Sequence, residues 1–224
     1  MKLVLISDTH GLHDQVKVPD GDVLIFAGDL GGYGTKAEVW RFATWMGKQK
    51  HAHKIAIAGN HDWALYKPSE KWRARGIFQA AHVTYLEDSG ITIDGVTFWG
   101  TPWTPNFYDW AFMYPRSSEM AKTVWNKVPE GTDVLITHGP PRGILDPAYS
   151  DPSGHAGCDE LYEQVTERIK PKVHVFGHLH DGYGKLTVHV NPPMKRPRED
   201  ILFVNAAICN DFYQPVNAPI EVEI

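Results

Sequence analysis

The chain has 224 residues, 42% apolar and 22% charged, a balance that excludes a disordered polypeptide and allows a sizeable core. Its 22 Lys and Arg against 27 Asp and Glu give −5 with histidine neutral, so the chain as a whole carries no electrostatic footprint for duplex nucleic acid or an anionic membrane. Apolar runs stay far below the roughly 20 residues of a membrane span, the apolar start Met1 to Ile6 is too short for a signal peptide, and only two cysteines, Cys158 and Cys209, predict a reducing, cytoplasmic setting rather than a disulfide scaffold.

In chain order, short runs rich in Val, Ile and Leu each lead at once into an Asp, Asn or His. Leu3 to Ile6 precedes Ser7-Asp8-Thr9-His10, and Val23 to Ala27 precedes Gly28-Asp29. Thr35 with Glu38 three residues later is a capping box, and Val39, Trp40, Ala43 and Met46 continue it at helical spacing. Ile55 to Ala58 leads into Gly59-Asn60-His61-Asp62. Ile91 to Ile93 and Val96 to Trp99 flank Asp94-Gly95, the signal of a type I′ hairpin. Ser118 to Lys127 predicts a helix, and Val134 to Ile136 leads into Thr137-His138. Cys158, Leu161, Tyr162, Val165 and Ile169 form a helical stripe that stops at Lys170, because Pro171 disfavours helical geometry in the residue before it. Val173 to Phe176 leads into Gly177-His178-Leu179-His180, and Lys185 to Val190 and Ile201 to Asn205 predict two later strands. Continuous apolar runs of four or five read as strands buried on both faces. No linker interrupts them, so a single mixed α/β domain over 1–224 is expected.

Ligands in open α/β sheets bind at the carboxyl ends of strands. Five predicted strands bring Asp8, His10, Asp29, Asn60, His61, His138, His178 and His180 to that edge. Singly, each residue has an ordinary reading as a turn former or a surface histidine. Together they are costly to desolvate without a counter-charge, and a pair of divalent cations supplies one. Two carboxylates, four imidazoles and one amide oxygen make seven donor groups. Mixed N and O donors without thiolate favour Mn²⁺, Fe, Co²⁺, Zn²⁺ or Ni²⁺, with Mn²⁺ taken first, over Ca²⁺ or a structural zinc site. Two such ions about 3.5–4 Å apart are suited to in-line displacement at phosphorus.

In that order, Asp8-Thr9-His10, Gly28-Asp29, Gly59-Asn60-His61-Asp62, His138 and Gly177-His178-Leu179-His180 resemble the signature of the calcineurin-like metallophosphoesterases. Thr101-Pro102-Trp103-Thr104-Pro105, His138-Gly139-Pro140-Pro141 and residues 174–184 resemble the metallophosphoesterase-domain-containing branch, related to class III cyclic nucleotide phosphodiesterases. The resemblance covers nearly the whole chain and implies a four-layer α/β/β/α sandwich with a dimetal site at one edge. It implies Asp8, His10, Asp29 and His180 around one ion and Asp29, Asn60, His138 and His178 around the other, with Asp29 bridging. His61 is then the acid beside the leaving group. Many relatives place an Asp or Arg three residues after the bridging Asp; here Gly32 stands there, which leaves the partner of His61 open.

The expected function is a phosphodiesterase for small phosphodiesters, cyclic nucleotides first, in which a hydroxide between the ions attacks phosphorus and His61 protonates the leaving oxygen. The alternatives are a phosphomonoesterase or nuclease of the same superfamily, or a non-catalytic scaffold. A monoesterase is expected to add Arg or Lys beside the motifs, and a scaffold to have lost ligands. Substrate contacts are expected from His13 near the first motif, from Trp103, Asn106 and Phe107, with Trp110 beside them, and from Tyr183 at the rim; a solvated loop histidine and aromatics packing the second sheet are the competing readings. Lys195, Arg196 and Arg198 sit among Pro192, Pro193 and Pro197 and read as a solvated loop rather than a nucleic-acid contact.

Overall fold

A computed structural model describes residues 1–149, 151–190 and 199–224; the Lys195, Arg196 and Arg198 cluster lies outside them. The first half runs β1 (Lys2–Ile6), β2 (Val23–Ala27), α1 (Lys36–Gly47), β3 (His53–Ile57), α2 (Trp63–Tyr66), α3 (Lys71–Ala80) and β4 (Thr84–Tyr85). The second half runs β5 (Ser89–Ile93), β6 (Val96–Thr101), β7 (Thr104–Pro105), β8 (Met113–Tyr114), α4 (Glu119–Asn126), β9 (Val134–Thr137), α5 (Asp159–Glu163), β10 (Val173–Phe176), β11 (Gly184–Val190), β12 (Glu199–Asn205) and β13 (Ile220–Glu223).

Two sheets face each other. One has the order β13-β1-β2-β3-β4 and the other β11-β12-β10-β9-β6-β5. The central strands β1, β2 and β3 run parallel, as do β9, β10 and β12. The apolar runs have no polar alternation because both faces of these strands are covered. In β1, Val4 and Ile6 pack with Val39, Phe42 and Phe78 of α1 and α3, while Leu3 and Leu5 pack with Val134, Ile136 and Val175 of the other sheet. The outer face of the second sheet, with Leu135, Phe176 and Phe203, packs on Val124 and Trp125 of α4 and Leu161 of α5. Three apolar layers separate four layers of structure, the α/β/β/α sandwich that the resemblance implies.

Local chemistry sets the ends of the elements. The Thr35–Glu38 capping box opens α1, with the Thr35 side chain accepting from the Glu38 N–H. Asp94 and Gly95 both have positive φ, 49° and 82°, and join paired Ile93 and Val96, as a type I′ turn requires. Ser118 caps α4. The Cys158 stripe begins as predicted, with Cys158 itself as the cap, but after Glu163 it relaxes into a π-helical stretch, Gln164–Ile169, that ends at left-handed Lys170. The helix α3 carries no clear periodic signal, because only Ala74 and Phe78 of its ten residues are buried.

Candidate metal centre

The sequence leaves each strand through a sharp turn. Asp8, His10, Asp29 and His178 all hold left-handed backbone, with φ of 52°, 44°, 61° and 68°. That conformation is uncommon for residues other than glycine and persists where the surroundings over-determine it. Here the surroundings are cross-strand hydrogen bonds: Asp8 N–H donates to the Gly28 carbonyl at 2.9 Å and His10 N–H to the Asp29 carbonyl at 3.1 Å. Two glycines leave space for the carboxylates. A Cβ at Gly59 would collide with Asp29 Oδ1, and one at Gly177 with Asp8 Oδ2.

The eight strand-end residues converge on one point between the sheets. Five come from the first sheet and three from the second. His138 Nδ1 donates to the Ala27 carbonyl and His180 Nδ1 to the Asn210 carbonyl, both at 3.0 Å. A carbonyl only accepts, so both rings carry the Nδ1 proton outward and aim Nε2 inward. There His138 Nε2 lies 2.8 Å from Asn60 Oδ1 and 3.4 Å from Asp29 Oδ2. His180 Nε2 lies 3.2 Å from His10 Nε2 and 3.5 Å from Asp8 Oδ1. The donors form three overlapping groups, Asp8 with His10 and His180, His10 with Asp29 and His61, and Asp29 with His138 and His178, each with its atoms within 4.8 Å of one another. Asp29 belongs to two of the groups. Side-chain nitrogens and oxygens buried this close together are the environment a divalent cation fits, and their N and O composition suits a first-row transition ion.

Electrostatics points the same way. Burial pushes His178 down to about 3 and His10 down to about 4. Burial also disfavours charge on His138, but Asp29 and Asp8 outweigh it and lift that ring to about 9. Against its own burial, Asp29 is held well below the carboxylate range by His138, His61 and His10. A proton on His138 thus offsets carboxylate charge that a cation would otherwise offset.

His61 stands at the mouth of the cluster. Its backbone N–H donates to Asp29 Oδ1 at 2.8 Å, and its Nε2 lies 3.9 Å from Asp29 Oδ2. The open question of its partner has a main-chain answer: Nδ1 donates to the Gly32 carbonyl at 2.7 Å. Trp110 stacks on the ring with centroids 4.2 Å apart. Asp62 does not face it. The Asp62 carboxyl is buried and accepts the N–H groups of Gly59, Asp29 and Leu30 at 2.8, 3.1 and 3.2 Å. Burial and neighbouring Asp29 push its pKa well above the usual range.

The cluster opens into a cleft of about 950 Å³. Asn106 and Phe107 line it, and so does Trp110. The other three residues expected to contact substrate are not among those lining the cleft. His13 is buried against Phe42 and Trp45 of the helical layer. Trp103 packs with Tyr66 and Phe112 and donates through Nε1 to Asp88. Tyr183 packs against the inter-sheet core and donates to the Ala218 carbonyl. Their places at the cleft are taken by Tyr108, Tyr149, Arg116 and Tyr213, whose ring meets His10 edge-on at 4.7 Å. No spacing in the sequence connects these residues, since four separate loops supply them.

Comparison with known proteins agrees with this geometry. Residues 1–182 match the calcineurin-like phosphoesterase family. The chain is 36% identical over 244 residues to human metallophosphoesterase domain-containing protein 1, covering all of this chain and 71% of that protein. It is 38% identical over 230 residues to a UPF0046 protein of Caenorhabditis elegans, covering 98% of this chain and 74% of that one. The structure of TT1561 from Thermus thermophilus superposes with a TM-score of 0.61 at 11% identity, over 90% of this chain and 88% of that chain, which shows the shared fold. The chain belongs to the calcineurin-like metallophosphoesterase family, in its metallophosphoesterase-domain-containing branch, and is a metal-dependent phosphoesterase.

Proposed function

We propose that the whole chain acts as one dinuclear phosphodiesterase for small phosphodiesters, cyclic nucleotides foremost. The observation that carries this reading is the direct opening of the Asp and His cluster into a cleft walled by Phe107, Tyr108, Trp110, Tyr149 and Tyr213. A phosphate seated at the cluster leaves its organic group among aromatic faces, where a base gains stacking energy.

Asp8, His10, Asp29 and His180 would hold one ion, and Asp29, Asn60, His138 and His178 the other. When bound, two divalent ions neutralise charge on the phosphoryl oxygens and bring the pKa of water toward neutrality; Mn²⁺ is the preferred occupant. The protein does the rest. Carbonyls of Ala27 and Asn210 fix the tautomers of two ligand rings. His61, held by the Gly32 carbonyl and the Trp110 face, turns Nε2 toward the cleft and delivers a proton to the departing oxygen.

A rate profile across phosphomonoesters, linear diesters and cyclic nucleotides with Mn²⁺ tests the reading. Cyclic nucleotides should be hydrolysed fastest. A preference for monoesters would favour the second reading, for which Arg116 at the cleft supplies a cation. That guanidinium is anchored to the carbonyls of Ala156 and Gly157. Duplex nucleic acid does not suit the site, because Asp151, Asp181 and Asp211 also line the cleft and repel a polyanion. A scaffold role would require a chain that binds no transition metal, against the complete donor set. Both cysteines are buried and free, in keeping with a reducing cytoplasm, and among the described residues no helix is long and apolar enough to cross a membrane.

A further inference from the structure

The net charge of −5 conceals a strong segregation. Residues 33–82 contain nine Lys and Arg and three acids, so this stretch carries +6 and the rest of the chain −11. Of the three acids, Asp62 is buried and Glu38 is engaged in the capping box of α1. The fold lays most of the cations on the outer surface of α1 and α3 and the segment leading into them. Lys36, Arg41, Lys48, Lys67 and Arg73 are exposed, with Lys71 partly so. Among the described residues none of these six has a carboxylate partner, whereas Lys2, Arg75, Lys122, Lys127, Arg142 and Lys172 all do.

The same surface exposes large aromatics. Trp40 on α1 is 59% exposed and Trp72 on α3 is 63% exposed. Arg73 stacks over the Trp72 ring at 4.6 Å and lines one shallow groove with Trp40 and Lys48. Next to it, Lys36 and Lys67 line a second groove with Trp63 and Tyr33. Isolated exposed apolar residues are ordinary. Two half-exposed indoles among six cations without carboxylate partners, on and beside paired helices, are a different pattern. Indole rings favour the headgroup depth of a bilayer, and Lys and Arg beside them favour anionic lipid.

We propose that the outer face of α1 and α3 docks on an anionic phospholipid surface, with Trp40 and Trp72 entering the headgroup layer and Lys36, Arg41, Lys48, Lys67, Lys71 and Arg73 facing lipid phosphates. The contact is peripheral and independent of the metal centre. The chain-wide charge argues against such a surface only while the charge is averaged over the molecule.

Co-sedimentation of the full chain with phosphatidylcholine vesicles, with and without phosphatidylserine, tests this. Binding should require phosphatidylserine and fade as salt rises. Brominated lipid should quench the fluorescence of the wild type and not that of a Trp40→Ala, Trp72→Ala double variant. Arg41→Gln, Lys48→Gln and Lys71→Gln should each weaken binding by about fivefold. Hydrolysis of a soluble phosphodiester should be unchanged in all of them, which reports intact folding. Equal binding to pure phosphatidylcholine, or phosphatidylserine binding unaffected by these changes, overturns the proposal. So does a face that ignores vesicles but binds a single-stranded oligonucleotide through the same residues.

Discussion

The floor and the rim of the cleft are built on opposite principles. Floor residues sit within four residues of a buried strand end, and Asp8, Asp29 and His138 are at most 2% exposed. Backbone carbonyls or N–H groups hold the side chains of Asp8, Asp29, His61, His138 and His180 there. Rim residues come from loops, and Tyr108 and Tyr149 are 82% and 89% exposed. A rigid floor suits a reaction whose geometry must not vary, and an exposed aromatic rim suits contacts that choose among organic groups.

If the two regions divide the work, their variants should fail in different ways. The largest effect falls on the floor. Chelation should reduce turnover to background and Mn²⁺ should restore it, while Asp29→Asn should lose both ions because the remaining amide cannot supply the shared charge. Elemental analysis showing two ions per chain in Asp29→Asn would break the bridging assignment.

His61→Ala comes next, with both ions retained. Loss of a general acid costs about 10²–10⁴-fold with a ribose alkoxide leaving group and much less with nitrophenolate, which leaves unaided. Equal losses on both substrates would reassign His61 to positioning, and a loss tracking missing metal would make it a ligand.

At the rim, Phe107→Ala and Tyr149→Ala should raise KM for nucleotides by about 5- to 150-fold, the range of one base stack, and leave kcat and metal content alone. A fall in kcat instead would erase the division between floor and rim.

Proton competition sharpens the description of the floor. His138 in the metal-free chain titrates at about 9, above its ordinary 6.5. Its pairing with Asp29 therefore stabilises the metal-free fold fully below pH 6.5, and that contribution is lost as pH rises through 9. Melting temperatures should fall over that window without metal. Apparent Mn²⁺ affinity should rise over the same window by about tenfold per pH unit, since the ion displaces the proton. Calorimetric titrations at several pH values measure both trends. The smallest effect belongs to Gly32→Ala. The partner of His61 is a carbonyl, and the added methyl meets only Glu38 Oε1 at an ordinary 3.7 Å, so kcat should stay within about twofold.

The floor was legible in the sequence for the reason that it is rigid. Buried parallel strands write themselves as unbroken apolar runs, as at Val23–Ala27 and Val173–Phe176, and the donors follow at fixed short distances. The rim left a trace only at Asn106, Phe107 and Trp110, just after the Thr101–Pro105 run. Tyr149 and Tyr213 reach the cleft through loops whose course depends on the finished fold. His13 shows the converse: it lies near the first motif, yet the turn His13–Gln15 swings its ring under α1. Nor does a reading of side chains reveal a partner made of backbone, which is why Gly32 looked like a gap. Net charge hides a different feature, because composition sums what residues 33–82 and the rest of the chain keep apart.

The donors are divided between two sheets, and neither sheet holds a complete set. His178 N–H, from the second sheet, donates to the Asp8 carboxylate of the first at 3.0 Å. If the ions are held as proposed, each finds all its ligands only after the sheets have docked, and metal capture should be a late event in folding. A bound ion would then act as a rivet across the seam between the layers, and mass action would add its binding energy to their cohesion. The ion-free chain should accordingly come apart along that seam before its helical layers fray.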